Sequence, residues 1–190
     1  GERSDRTARL ARAQRARVVG DLQSSIRILE ELVAIYPSDL ESGVLLATAL
    51  GDQGELSRAI ELRRSIVEAA PDHPRAWYLL GKFTILAGDP RRAVDEYLVR
   101  ALVTQNKLRS ERGKAEVLNA FGVALRQLGD LEGAEQRYVE ALEIRRRQGD
   151  RSGSASTLRN LALISTLRGD FERAGARLEE GLQLLETLDS

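Results

Sequence analysis

The 190-residue sequence predicts an all-α fold, an α-solenoid of about five helix-turn-helix repeats and about ten helices. Three observations predict it. A Gly-Asp or Gly-Glu pair recurs five times, small residues stand at fixed distances on either side of it, and apolar residues between the pairs recur every three or four positions.

The pairs are Gly20-Asp21, Gly54-Glu55, Gly88-Asp89, Gly129-Asp130 and Gly169-Asp170, with the glycines 34, 34, 41 and 40 residues apart. Seven residues before each glycine stands Ala13, Ala47, Gly81, Gly122 or Ala162, and five after it Ser25, Ala59, Ala93, Ala134 or Ala174. A small side chain at both places lets the two helices of a hairpin approach closely. Eight before the glycine, Leu46, Leu80, Phe121 and Leu161 supply apolar filling, and nine after it Leu29, Tyr97, Tyr138 and Leu178 do so from the second helix. The turn chemistry agrees: glycine suits the left-handed residue that ends a helix, and the following acid suits the start of the next.

Taken in order, the first repeat (about 5–37) pairs helices near 5–19 and 22–36; its first helix, RTARLARAQRARVV, puts Arg9 and Arg12 where apolar filling is expected. The second (38–71) pairs 39–53 with 55–69 and has Gly43 and Arg63 in place of bulky residues. Pro37 and Pro71 punctuate the ends of these hairpins. The third (72–107) pairs 73–87 with 90–105, Pro90 falling at the first helical position, where its missing N–H is harmless. The fourth (112–149) pairs 113–128 with 131–147. In the fifth (152–187), the Ser152–Ser156 run reads as a loop and cap before helices near 154–168 and 171–187. The whole, 1–190, reads as one repeat domain.

Composition narrows the function classes. Lys+Arg and Asp+Glu both total 29, so zero net charge gives no general pull toward nucleic acid or anionic membrane. Only Lys82, Lys107 and Lys114 among the cations are not arginine, a bias that points to a GC-rich, bacterial genome. No cysteine is present, which removes disulfides, thiolate nucleophiles and cysteine metal sites. No apolar run approaches the ~18–20 residues that span a bilayer, and a cytoplasmic location is expected. The absence of methionine predicts a piece of a longer protein. His73, the lone histidine, sits in a connector and offers no metal ligand set. Arg145-Arg146-Arg147 reads as a solvated helix end complementing the dipole, and Glu179-Glu180 as surface charge. Nothing has the spacing of a catalytic constellation, so no enzyme activity and no cofactor are expected.

The repeat resembles the tetratricopeptide repeat family over about residues 7–187. The third copy, WYLLGKFTILAGDPRRAVDEY, carries the family's Trp77, Leu80, Gly81, Gly88, Ala93 and Tyr97 at matching places, and the longer last two spacings are similar to the kinesin light-chain-like type. The resemblance implies a right-handed superhelix whose first helices line a concave, peptide-binding face. Counting back ten, six and three residues from each glycine gives the inward positions: Leu10, Val44, Tyr78, Asn119 and Arg159; Gln14, Thr48, Lys82, Val123 and Leu163; Arg17, Gly51, Ile85, Arg126 and Thr166. The implied groove is Arg75, Tyr78, Lys82, Asn119, Val123, Arg126, Arg159, Asn160 and Leu163. Its cations and amides suit an acidic peptide, and Lys82, Asn119, Asn160 and Arg159 partly echo the family's carboxylate clamp.

The expected function is therefore protein–protein interaction or scaffolding, the partner a protein or peptide. The alternative is a regulatory or sensing segment of a larger bacterial enzyme or transcription regulator. Nucleic-acid binding through the Arg-rich first helix is a weaker reading. Leu182, Leu184 and Leu185 on the last helix lack an evident covering, and residues 1–20 carry net +4 against −3 in residues 171–190. Self-association through that uncapped C-terminal helix is weighed against the simpler expectation that terminal charge keeps the ends soluble.

Overall fold

A computed structural model describes residues 2–73 and 75–186. Predicted helical position 187 and the charge assigned to Asp189 lie outside the described residues. Ten helices and no strands occur among those described: α1 (Glu2–Val18), α2 (Leu22–Ile35), α3 (Leu40–Asp52), α4 (Leu56–Ala69), α5 (Ala76–Leu86), α6 (90–107), α7 (Glu111–Gln127), α8 (Leu131–Arg147), α9 (Arg151–Leu167) and α10 (Phe171–Glu186). They fall into two compact units, Gly1–Ala87 and Gly88–Ser190.

Most boundaries agree with the sequence within two residues; α1 starts three residues early, at Glu2, and the starts of α5, α7 and α9 shift for identifiable reasons. The predicted start of α5 at 73 moves to Ala76, because the chain first turns at Pro71 and Asp72, where the His73 amide bonds the Ala70 carbonyl at 3.0 Å. Helix α9 begins at Arg151 and not at 154: Asp150 Oδ1 accepts from the Gly153 amide at 2.8 Å, so the Ser152–Ser156 run is helix and the cap lies before it. Likewise Ser110 caps α7 through the Gly113 amide at 3.2 Å, two residues ahead of the predicted start. Helix α6 contains a π turn, Ala93–Leu98, between the α-helical segments Pro90–Arg92 and Val99–Lys107. The wider turn brings Ala93, Tyr97 and Leu98 to one buried side.

The Gly-Asp turns are built alike. At Gly129, φ is +86°, a conformation glycine adopts without a Cβ penalty. Its amide bonds the Arg126 carbonyl at 3.1 Å, the Asp130 amide bonds the Leu125 carbonyl at 3.0 Å, and Asp130 then caps α8 through the Gly133 amide. Asp21, Asp89 and Asp170 cap their helices in the same way. Glu55 caps nothing with its side chain and pairs with Arg58 at 2.6 Å. A sixth such turn, Gly149-Asp150, joins α8 to α9 and went unread in the sequence because it lies between repeats. The matching corner between α6 and α7 places Arg109 at φ +52°, a strained choice for a residue with a side chain.

In the first unit, the small residues Ala13, Ala47 and Ala59 are fully buried and the core gathers Leu10, Ile26, Leu29, Leu32, Leu46, Leu50 and Phe83. Helix α1 packs on α2, α2 on α3, α3 on α4 and α4 on α5. Arg63 stands where its counterparts are Leu or Tyr and is only 2% exposed. Its Nη2 donates to Thr48 Oγ1 at 2.8 Å and its guanidinium lies 4.5 Å over the Phe83 ring, while burial lowers its pKa to about 10. Arg9 is half-buried, answered by Asp5 and Glu31; Arg12 is exposed. Arg6, paired with Asp39 and Glu41, ties α1 to α3 and holds the Asp39 carboxyl below its usual range.

The second unit is built on Tyr138, Leu142, Leu158, Leu161 and Ile164, with α7 on α8, α8 on α9 and α9 on α10. Gly122 is the close approach: a Cβ there would stand 2.4 Å from Tyr138 Cε1. In the Arg145–Arg147 run, Arg146 and Arg147 form the exposed basic helix end expected from the sequence, and Arg145 departs from it. Arg145 is buried and donates to the Gly153 carbonyl and Thr157 Oγ1, Arg146 pairs with Glu180, and Arg147 lies 3.9 Å from Glu111. One predicted filling position fails: Leu178 is 46% exposed where Tyr138 is fully buried. Of the three C-terminal leucines, Leu184 packs into the core and Leu182 and Leu185 stay outward.

Candidate functional site

Binding surfaces on helical hairpins are set by which side chains the close packing leaves outside. On the first unit, α5 presents three of the groove positions expected from the sequence. The Arg75 guanidinium lies 5.8 Å from the Tyr78 ring centroid, Tyr78 is half-buried, and Lys82 is exposed one turn further on. The packing of α5 decides this face: Ala76, Leu80, Phe83 and Thr84 turn inward, which leaves 75, 78 and 82 outside.

On the second unit, α7 and α9 carry the other six. Asn160 Nδ2 donates to Asn119 Oδ1 at 3.1 Å, so the two helices present their amides as one pair. Each asparagine retains unused capacity: two donor hydrogens on Asn119 and the acceptor oxygen on Asn160. Val123 is half-buried beside this pair and packs on the Tyr138 core. Arg126 is half-buried and approaches the buried Tyr138 hydroxyl; burial is the larger influence there and raises the phenol above its usual value. Arg159, Asn160 and Leu163 line a shallow depression closed by Thr166 and Leu178. Arg159 and Leu163 are exposed, and Arg159 makes no ion pair among the described residues.

Two of the inward positions counted from the turns belong elsewhere. Leu10 and Ile85 are core residues, 6% and 5% exposed, because α1 and α5 rotate those positions into the hairpin. Thr48 is committed as well, donating to the Val44 carbonyl and accepting from Arg63. Gly51 is covered by Phe83, whose ring occupies the space a side chain would take.

His73 is half-buried in its turn and its Nδ1 accepts from the Arg75 amide at 3.4 Å. Among the described residues, no group of three His, Cys, Asp or Glu side chains is placed to hold a metal ion. No described helix is long and apolar enough to cross a membrane.

The tetratricopeptide repeat family matches the sequence over residues 19–83 and again over 113–187. No curated protein matches at a significant level. Among solved structures, a Podosopora anserina kinesin light chain protein with nearly identical TPR-like repeats superposes with a TM-score of 0.79 at 21% identity, covering 100% of this chain and 99% of its own. BtubC from P. vanneervenii gives a TM-score of 0.78 at 20% identity over 94% of this chain and 78% of its own. MamA from Desulfovibrio magneticus RS-1 gives 0.73 at 17% identity over 97% of both chains. At such identities the likeness is one of fold.

Proposed function

We infer, from the premise that this chain belongs to the tetratricopeptide repeat family of protein-interaction scaffolds, that the α7–α9 face of its second unit holds an extended, acid-rich peptide segment without catalysing a reaction on it. The observation that carries the reading is the Asn119–Asn160 hydrogen bond. It ties the two amides together and leaves donors and an acceptor unused, which suits an extended backbone that bonds by its alternating N–H and C=O groups. Arg126 and Arg159 stand on the same two helices and suit carboxylates, for which a guanidinium offers paired donors. Val123 and Leu163 supply apolar contact between them. On the first unit, Arg75, Tyr78 and Lys82 form a cationic and aromatic patch with the same preference.

A displayed library of random ten-residue peptides panned against the purified chain tests this. The expected result is enrichment of Asp- and Glu-rich sequences, with affinity for a selected peptide falling at least tenfold in both Asn119→Ala/Asn160→Ala and Arg126→Ala/Arg159→Ala. Enrichment of sequences without acidic bias, or unchanged affinity in both variants, overturns it.

A further inference from the structure

The first unit buries a cation without burying an acid beside it. Arg63 of α4 reaches the place where α3 and α5 meet, donating through Nη2 to Thr48 Oγ1 and lying over the Phe83 ring. It makes no other hydrogen bond, ion pair or ring contact among the described residues, so neither Nε nor Nη1 has a partner. The hydroxyl and the ring offset part of the cost of burial, but they neutralise none of the charge. A cation taken out of water is ordinarily held beside a carboxylate, because an unpaired buried charge is expensive. Asp52, the acid that acts on Arg63, is exposed and already pairs with Arg17 at 3.2 Å.

The surface over this charge is cationic too. Arg75 stands exposed at the start of α5, its guanidinium 5.8 Å from the Tyr78 ring centroid, and Lys82 is exposed two turns further on. Arg75 is near enough to disfavour the charge on Arg63, an influence second only to burial. Two like charges thus act on each other, and a bound anion relieves both at once. The effect is larger here than at an open surface, because little water screens a side chain that is 2% exposed. A carboxylate seated on Arg75 needs no opening down to Arg63 to gain from it. The guanidinium of Arg75 offers such a group paired donors in one plane.

We propose that the α3–α5 surface of the first unit holds one carboxylate of an acidic peptide on Arg75, over the buried charge of Arg63, which makes the site selective for an anion. The carboxylate belongs to an acidic side chain or to a chain end. The proposal deepens the acidic-peptide reading of the Arg75, Tyr78 and Lys82 patch and rests on it; it is independent of the Asn119–Asn160 face.

Trp77 of α5, the lone tryptophan, reports binding at this unit. Its fluorescence is followed in the whole chain carrying Asn119→Ala/Asn160→Ala, which removes the second-unit face. Acetylated, amidated tetraglutamate and tetraglutamine, and acetylated tetraglutamine with a free C-terminus, are titrated in at constant ionic strength. Tetraglutamate should bind at least tenfold more tightly than amidated tetraglutamine. If the free-acid tetraglutamine matches tetraglutamate, the carboxylate is that of a chain end; if it matches its amidated form, it is that of a side chain. Arg63→Met, with an unchanged circular dichroism spectrum, and Arg75→Ala should each weaken tetraglutamate at least fivefold. Together they should weaken it by less than the product of the two losses, because both act on one carboxylate. Arg64→Met, which removes an exposed charge from the same helix, should change the affinity less than twofold. Undiminished binding by Arg63→Met, or equal losses in Arg63→Met and Arg64→Met, would overturn the proposal and leave the acid preference of the patch standing. Equal binding of the two amidated peptides would overturn both.

Discussion

The same chemical change, glycine to alanine inside a helix, should have opposite effects at two positions of the second unit. Gly122 faces Tyr138, whose Cε1, Cδ1 and Cζ would lie 2.4, 2.6 and 2.7 Å from an added Cβ. The ring is fully buried and packs with Leu158 and Leu161, so it has nowhere to retreat. Overpacking of this kind costs about 1–3 kcal/mol, against about 1 kcal/mol gained by removing a helical glycine. Gly122→Ala should therefore be neutral to destabilising by about 2 kcal/mol. Gly175 is exposed on α10 with nothing within 4 Å of its would-be Cβ. Gly175→Ala should stabilise by up to about 1 kcal/mol. Urea unfolding followed by circular dichroism compares the two against the parent chain. If Gly122→Ala is as stabilising as Gly175→Ala, the hairpin is not held at the separation described, and the explanation of the small-residue pattern fails.

Other expectations follow from the buried charges. Holding Arg63 protonated in its apolar site costs roughly 3 kcal/mol, which the Thr48 hydrogen bond and the Phe83 ring largely return. Arg63→Met should leave first-unit stability within about 1 kcal/mol, whereas Arg63→Ala, which opens a cavity, should cost at least about 2 kcal/mol. The fluorescence of Trp77, the lone tryptophan and a first-unit residue, reports both. Glu135 accepts from Arg177 at 2.7 Å and pairs with Arg168, which holds its carboxyl below the usual range. A lowered folded pKa gives stability that is present above about 4.5 and lost as the pH falls through the folded value. Glu135→Gln should accordingly lose less stability between pH 7 and pH 3 than the parent does; equal losses would contradict the pairing.

The repeat itself was legible because turns and close approaches leave a mark in residue size. Each small residue flanking a turn glycine is buried, from Ala13 to Ala174. What was not legible has physical causes too. Gly149-Asp150 uses the same turn chemistry between repeats as within them, so periodicity alone passed over it. Within the Arg145–Arg147 helix end, the burial of Arg145 was not legible because sequence cannot say that α9 places a carbonyl and a hydroxyl over it. Counting back from glycine misplaced Leu10 and Ile85, which are buried, since a helix's rotation about its axis is set by its neighbours. Arg63 read as a poor filler and proved a good one, its stem and planar head replacing Leu or Tyr against Phe83. The pairing of Asn119 with Asn160, forty-one residues away, needed the packing of α7 and α9 to bring the two amides together.

Side-chain amide resonances give the most direct test of the binding face. In a ¹⁵N–¹H correlation spectrum titrated with a selected acidic peptide, the Asn119 and Asn160 amides should shift first, followed by backbone signals of Val123, Arg126 and Leu163. Shifts confined to α8 and α10, with both amides unmoved at saturation, would place the ligand elsewhere and contradict the account.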